Sequence, residues 1–176
     1  MPAGTGAPVG APSGTRRLDP DKIGDHLDRL YRAARAYTGS REAAEDLVQE
    51  TYLRVLSRPR FIRNQDDLGY LLRVMRNTFI SMHRRASSRP APATADEPDW
   101  VEDESAPQPH EIVESRLVYD AIAALPPNFR DALVAVDVAG LRYREAAKAL
   151  KIPEATVTSR VFRARKRVAD ALRAGD

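Results

Sequence analysis

Thr156, Thr158, Ser159, Arg160, Arg163 and Lys166 lie away from the apolar stripe of a C-terminal helical stretch, which Val157, Val161, Ala164, Val168 and Ala171 or Leu172 form on one side. On such a face Thr158, Ser159 and Arg163 can exchange hydrogen bonds with base edges, while Arg160, Arg165, Lys166 and Arg167 can neutralise phosphates. A generic helical hairpin with a basic exterior would show the same spacing, so at this level both readings stand. Covalent chemistry has little support. His26, His83 and His110 are scattered, and the chain has no HExxH pattern, no Gly-rich phosphate loop and no cysteine. No metal and no cofactor is expected.

A basic helix must be held at its target by its neighbours. Tyr143 to Leu150 (YREAAKAL) makes two helical turns with Ala146, Ala147 and Leu150 inward, and Lys151-Ile152-Pro153 breaks the run before the basic helix. A short helix with small alanines, a tight turn and a longer helix form the pattern of a helix-turn-helix. The alanines permit close crossing, Ile152 plugs the angle, and the start of the second helix is placed for a major groove. Upstream, Val113, Leu117, Ala121 and Leu125 mark one helix from Glu111 that Pro126-Pro127 interrupts, and Phe129, Leu133 and Val136 mark another ending near Gly140.

The N-terminal half reads as three further helices. Ile23, Leu27, Leu30, Tyr31, Ala34 and Tyr37 give one stripe, which Gly39 terminates; Ser40 caps a second helix carrying Ala44, Leu47, Val48, Tyr52 and Val55. After a loop over 57–66, Asp66 or Asp67 caps a third with Leu68, Leu71, Leu72, Met75, Phe79 and Met82. No segment alternates like a strand over a useful length. The expected fold is therefore all-α: a disordered tail over 1–20, a helical domain over 21–86, an acidic Pro-rich linker over 87–110, and a four-helix helix-turn-helix domain over 111–176.

Charge supports separate basic faces. The net charge is only +3, but Arg73 to Arg89 holds five arginines and no acid, Pro90 to Ser115 holds eight acids and no lysine or arginine, and Glu154 to Arg173 holds six basic residues against two acids. A polyanion held at two places fits this distribution. The acidic segment, with Trp100 as its one large aromatic, is unsuited to lying on duplex DNA. No apolar run approaches the roughly 18–20 residues that span a bilayer, and absence of cysteine fits a reducing, cytoplasmic setting. The basic helices carry ordinary core stripes, which disfavours a membrane-surface role.

From Gly140 to Leu172 (GLRYREAAKALKIPEATVTSRVFRARKRVADAL) the chain resembles the second conserved domain of bacterial sigma factors of the extracytoplasmic-function group. Ala44 to Leu56 resembles that family's polymerase-binding segment, and Tyr70 to Arg85 (YLLRVMRNTFISMHRR) its helix at the melted promoter element. The resemblance implies an alternative sigma factor. Its first domain would bind the β′ clamp helices of RNA polymerase through Asp46, Gln49 and Glu50, which lie three and four residues apart and so share a face. It would hold one strand of the minus-ten element with Phe61, Arg73, Arg76, Asn77, Arg84 and Arg85. The second domain would read the minus-thirty-five element with Thr156, Thr158, Ser159, Arg160, Phe162, Arg163 and Lys166, near the polymerase β flap. Promoter DNA, both duplex and single-stranded, core polymerase and an inhibitory anti-sigma factor are the partners it implies.

Three positions depart from the family's pattern. Ser81 stands where an aspartate is frequent, Thr158 where lysine or arginine is common, and Lys151 replaces a frequent turn glycine, so that turn is expected to be shaped differently. The competing function is a helix-turn-helix regulator that occupies DNA without serving as a polymerase subunit.

Overall fold

The computed structural model describes residues 15–57, 61–63, 66–88 and 109–174. Residues 89–108, which include Trp100 and most of the expected linker over 87–110, lie outside them, while the ends of that linker belong to α4 and α5. In chain order the elements are β1 (Thr15–Arg17), α1 (Pro20–Ile23), α2 (Leu27–Thr38), α3 (Arg41–Leu56), β2 (Phe61–Arg63), α4 (Asp67–Ser87), α5 (Pro109–Ala123), α6 (Pro127–Leu133), α7 (Tyr143–Leu150) and α8 (Glu154–Ala174).

Local chemistry sets the helix ends. The Ser40 hydroxyl accepts from Ala43 N–H at 3.3 Å and opens α3, and the Asp66 carboxylate accepts from Gly69 N–H at 2.9 Å and opens α4. Of the two expected caps for α4, Asp66 is the one used. Its carboxylate lies so close to position 69 that a Cβ there would come within 2.5 Å of it, which explains the glycine. Gly39, at φ 70°, ends α2.

α2, α3 and α4 pack around Leu30, Leu47, Leu71 and Met75, all essentially sealed from solvent. The expected stripe needs one correction: Leu27 is 47% exposed. A 3₁₀ turn over Gly24–His26 separates α1 from α2, and its three residues per turn shift the phase between Ile23 and Leu27. The expected disordered tail is also corrected for its last residues. β1 pairs antiparallel with β2, setting Arg17 opposite Phe61 and Thr15 opposite Arg63, and Leu18 is buried. Those ladder bonds and one buried leucine supply partners that a Gly- and Pro-rich composition does not advertise. This two-stranded ribbon is the departure from all-α structure among the described residues.

In the second unit α5, α6, α7 and α8 enclose Leu133, Val134, Val157 and Val161. Between α6 and α7 the chain widens into a π turn over Val134–Val138, with Ala139 N–H bonded to the Val134 carbonyl at 2.8 Å. α5 buries Ile122 and the turn after it buries Leu125, whereas Leu117, expected inside, is 51% exposed. The two units do not stand apart: α2 packs against α5 and the π turn, and α4 against α7. With neighbours on two sides, α2 buries Ala33, Ala34 and Ala36 completely.

Candidate nucleic-acid interface

α8 presents its polar face outward because its other face is locked inside. Val157, Val161 and Ala164 are fully buried, and the fully buried Ala146 of α7 allows close crossing with Ala149 and the half-buried Ile152 beside it. Thr158, Ser159, Phe162, Arg163 and Lys166 are exposed, Phe162 at 71%; Thr156 and Arg160 are half-buried. Thr158 donates its hydroxyl proton to the Glu154 carbonyl at 3.1 Å, and Ser159 donates to that of Thr156 at 3.1 Å. With those protons turned inward, both hydroxyls offer acceptor lone pairs, suited to an exocyclic amino group of a base.

Two of the arginines expected at phosphates are engaged elsewhere. Arg165 makes a bidentate pair with Asp137, at 2.8 and 2.7 Å, and Arg167 lies 5.0 Å over the Phe129 ring. Arg160, Arg163 and Lys166 form no ion pair among the described residues, and of these Arg163 and Lys166 are the fully exposed cations on this face available to a polyanion. The turn before α8 is also not reshaped. Lys151 adopts φ 56° and ψ 45°, the left-handed geometry a glycine would take. Its N–H reaches the Lys148 carbonyl at 3.4 Å and Ile152 N–H reaches that of Ala147 at 3.1 Å, the paired bonds of a Schellman motif. Those bonds hold the turn against the strain of a side chain.

On the first unit, Asp46 and Gln49 are exposed on the outer face of α3, while Glu50 holds Arg54 at 2.8 Å. Leu53 at 66% and Leu56 at 55% exposure continue this face with an apolar ledge. Both fall within the segment that resembles a polymerase-binding one, but neither was singled out, because a stripe at helical spacing accounts for the inward residues and leaves no rule for leucines beside it. An acidic end and an apolar end on one helix suit a partner that is itself a basic, amphipathic surface.

α4 is less open than its arginines suggest. Arg73 lies 5.5 Å over the Tyr70 ring, Asn77 is exposed with its carbonyl accepting from Ser81 at 2.9 Å, and Arg84 and Arg85 are exposed at the helix end. Arg76, expected at the minus-ten strand, instead donates through Nε to Asp131 of α6. Asp131, 5% exposed, also accepts from the Tyr37 hydroxyl at 3.2 Å. Burial, and then the Asp131 charge, raise the Tyr37 pKa well above the ordinary tyrosine value. Phe61 is described through its backbone in β2 alone. Phe79, read as core, packs at the junction of the two units, 5.1 Å from Tyr37 and 5.0 Å from the Arg130 guanidinium.

The described residues contain no group of three His, Cys, Asp or Glu able to hold a metal, and no helix among them is long and apolar enough to cross a membrane. Two family models match the chain: sigma-70 region 2 over residues 23–89, and sigma-70 region 4 over residues 115–168. The chain is 37% identical over 154 residues to the ECF RNA polymerase sigma factor SigE of Mycolicibacterium smegmatis, covering 85% of this chain and 60% of that relative's length. It is 34% identical over 133 residues to the ECF sigma factor SigC of Mycobacterium tuberculosis, covering 74% and 70%. Among solved structures its fold is similar to the sigma factor RpoE bound to the anti-sigma factor NepR from Bartonella quintana, with a TM-score of 0.62, 23% identity, and coverage of 88% of this chain and 98% of that one. It is similar also to CnrH in complex with the cytosolic domain of CnrY, with a TM-score of 0.63, 20% identity, and coverage of 89% and 88%. The order of the two matched regions, the helix-turn-helix built on Ala146 and Val157, and the 34% identity to SigC over 70% of its length agree: the chain belongs to the extracytoplasmic-function RNA polymerase sigma factors of the sigma-70 family.

Proposed function

We propose that the chain is an alternative sigma factor that joins core RNA polymerase, recognises minus-thirty-five and minus-ten promoter elements, and promotes DNA opening, with residues 21–86 and 111–176 as its working units. The observation that carries this reading is the pair of exposed recognition faces in family order, Asp46-Gln49-Leu53-Leu56 on α3 and Phe162-Arg163-Lys166 on α8. The α3 face meets the β′ clamp helices, its carboxylate taking a basic partner and its leucines an apolar one. α8 enters the major groove of duplex DNA beside the β flap, where Arg163 reaches a base edge or phosphate, Thr158 and Ser159 accept hydrogen bonds, and Phe162 covers a thymine methyl.

Opening needs no covalent step. Each base-pair step lost costs about 1.4 kcal/mol of stacking, offset by bases held on protein at about 1–3 kcal/mol each and by arginines along the backbone. Arg73, Arg84 and Arg85 line α4 for the backbone, and the Asn77 amide has both donor and acceptor for a base. An inhibitory anti-sigma factor is the expected regulator. We read the chain as a non-enzymatic initiation factor that works in the cytoplasm, a reading supported by its sigma-factor relatives.

Run-off transcription with purified core polymerase on genomic fragments tests the proposal. Asp46→Arg abolishes co-elution with core, and Arg163→Ala weakens upstream recognition by about tenfold, the loss of one good contact of about 1–3 kcal/mol. Wild-type protein that neither joins core nor redirects start sites would leave the simple helix-turn-helix regulator as the better account.

A further inference from the structure

Five cations crowd α8 between Arg160 and Arg167, and the fold takes one of the exposed ones out of use without burying it. Arg165 donates through Nε to Asp137 Oδ2 at 2.8 Å and through Nη2 to Asp137 Oδ1 at 2.7 Å, so both carboxylate oxygens are taken. The Arg165 side chain keeps 55% of its exposure and that of Asp137 31%. The guanidinium is therefore held at the surface. An ion pair this open adds little to stability, so bracing the helix is a poor account of it.

The place of Arg165 on α8 gives a better one. It lies three residues after Phe162 and seven after Thr158, which sets it on their flank of the helix. A free guanidinium on that flank would take up the phosphates of any duplex lying along the exposed face, whatever its sequence. Asp137 comes from the π turn between α6 and α7, where Ala139 N–H bonds to the Val134 carbonyl five residues back, in a turn wider than that of an α-helix. Val134 and Ala135 are buried in it, and Asp137 is left exposed against α8. We propose that Asp137 is a specificity-determining residue: it keeps Arg165 off phosphate, so that the grip of α8 on duplex DNA depends on its base-reading side chains and not on one more sequence-blind cation. Binding to unrelated sequence comes almost wholly from cation–phosphate contacts. A promoter has to be found among a large excess of such sequence, so one cation fewer favours discrimination. In taking α8 as the helix that meets duplex DNA the inference rests on the proposed function; the pairing of Arg165 with Asp137 does not.

The test is the salt dependence of binding to a fluorescein-labelled duplex of random sequence, read by anisotropy on the full chain. Both side chains of the pair are partly exposed, so their replacement leaves the core intact. Asp137→Asn frees Arg165 and steepens the slope of log affinity against log salt by about 0.9, one counterion. It binds more tightly than wild type at about 50 mM salt, and that advantage shrinks about threefold by about 200 mM. Asp137→Asn/Arg165→Ala returns the slope to the wild-type value. A pair that merely braced the helix would instead give weaker binding at every salt concentration with the slope unchanged. That result, a steeper slope that survives in the double variant, or no duplex binding at low salt overturns the assignment. Wild-type protein that never joins core polymerase, in a series that still shows the slope difference, keeps the assignment and overturns the proposed function. Wild-type protein that joins core and redirects start sites while the slopes stay equal does the reverse.

Discussion

Replacing Lys151 with glycine stabilises the helix-turn-helix, by an amount that follows from the backbone of its turn. At φ 56° and ψ 45° the Lys151 Cβ crowds its own carbonyl, at a cost of about 1–2 kcal/mol. The chain accepts that cost because the two helix-end bonds, from Lys151 to Lys148 and from Ile152 to Ala147, require the left-handed turn. Glycine relieves the crowding, but its freer unfolded chain offsets about 0.5–1 kcal/mol. Loss of the ammonium at the C-terminal end of α7 offsets about 0.3 kcal/mol more. The net gain over wild type is therefore about 0.5 kcal/mol. Lys151→Ala is the sharper comparison, because it loses the same charge and keeps the Cβ. Glycine should exceed alanine by about 0.5–1 kcal/mol, or about 2 °C in Tm for a chain of this size. Urea unfolding and differential scanning calorimetry on the three proteins measure both differences. An alanine variant as stable as the glycine variant would show that the turn is not under backbone strain and refute the reasoning.

Lys166→Ala should lower the slope of duplex binding against salt by about one counterion, whereas Arg165→Ala should leave it unchanged, because Asp137 already holds that guanidinium; anisotropy titrations over a salt series distinguish them, and equal slopes for the two variants would contradict the assignment. Removing residues 1–18 deletes β1 and the buried Leu18, at a cost of about 2 kcal/mol; an unchanged urea midpoint would mean the ribbon contributes nothing in solution. Tyr37→Phe should flatten the alkaline limb of stability. Burial first, then Asp131, raises the folded-state pKa of Tyr37, so the stability tied to the neutral phenol is complete below the unfolded value of about 10 and is lost as pH climbs through the raised folded value. Urea midpoints measured through the alkaline range check it, with superimposable curves for the two proteins as the contrary result.

Much of the molecule follows from local sequence. Ser40 and Asp66 cap helices where a short polar side chain precedes an apolar stripe, Gly39 ends one, and Leu47, Leu71, Met75, Val157 and Val161 are buried where their spacing puts them. These are interactions across three or four residues, so their information is local. The outward faces of α3 and α8 were legible for the same reason, since an inward stripe defines its opposite side. Stripes failed where phase or cover was set elsewhere: Leu27 after the 3₁₀ turn, and Leu117 on a part of α5 that no neighbour covers. Leu18 and the β1–β2 pairing depended on backbone groups meeting across more than forty positions, a choice with no side-chain signature. The docking of the two units lay furthest from view. Tyr37, Arg76 and Asp131 each look like ordinary surface or stripe residues in the linear chain, and whether a guanidinium faces DNA or a carboxylate 55 positions away is decided only when two folded surfaces, each sealed by its own core, come together and exclude water.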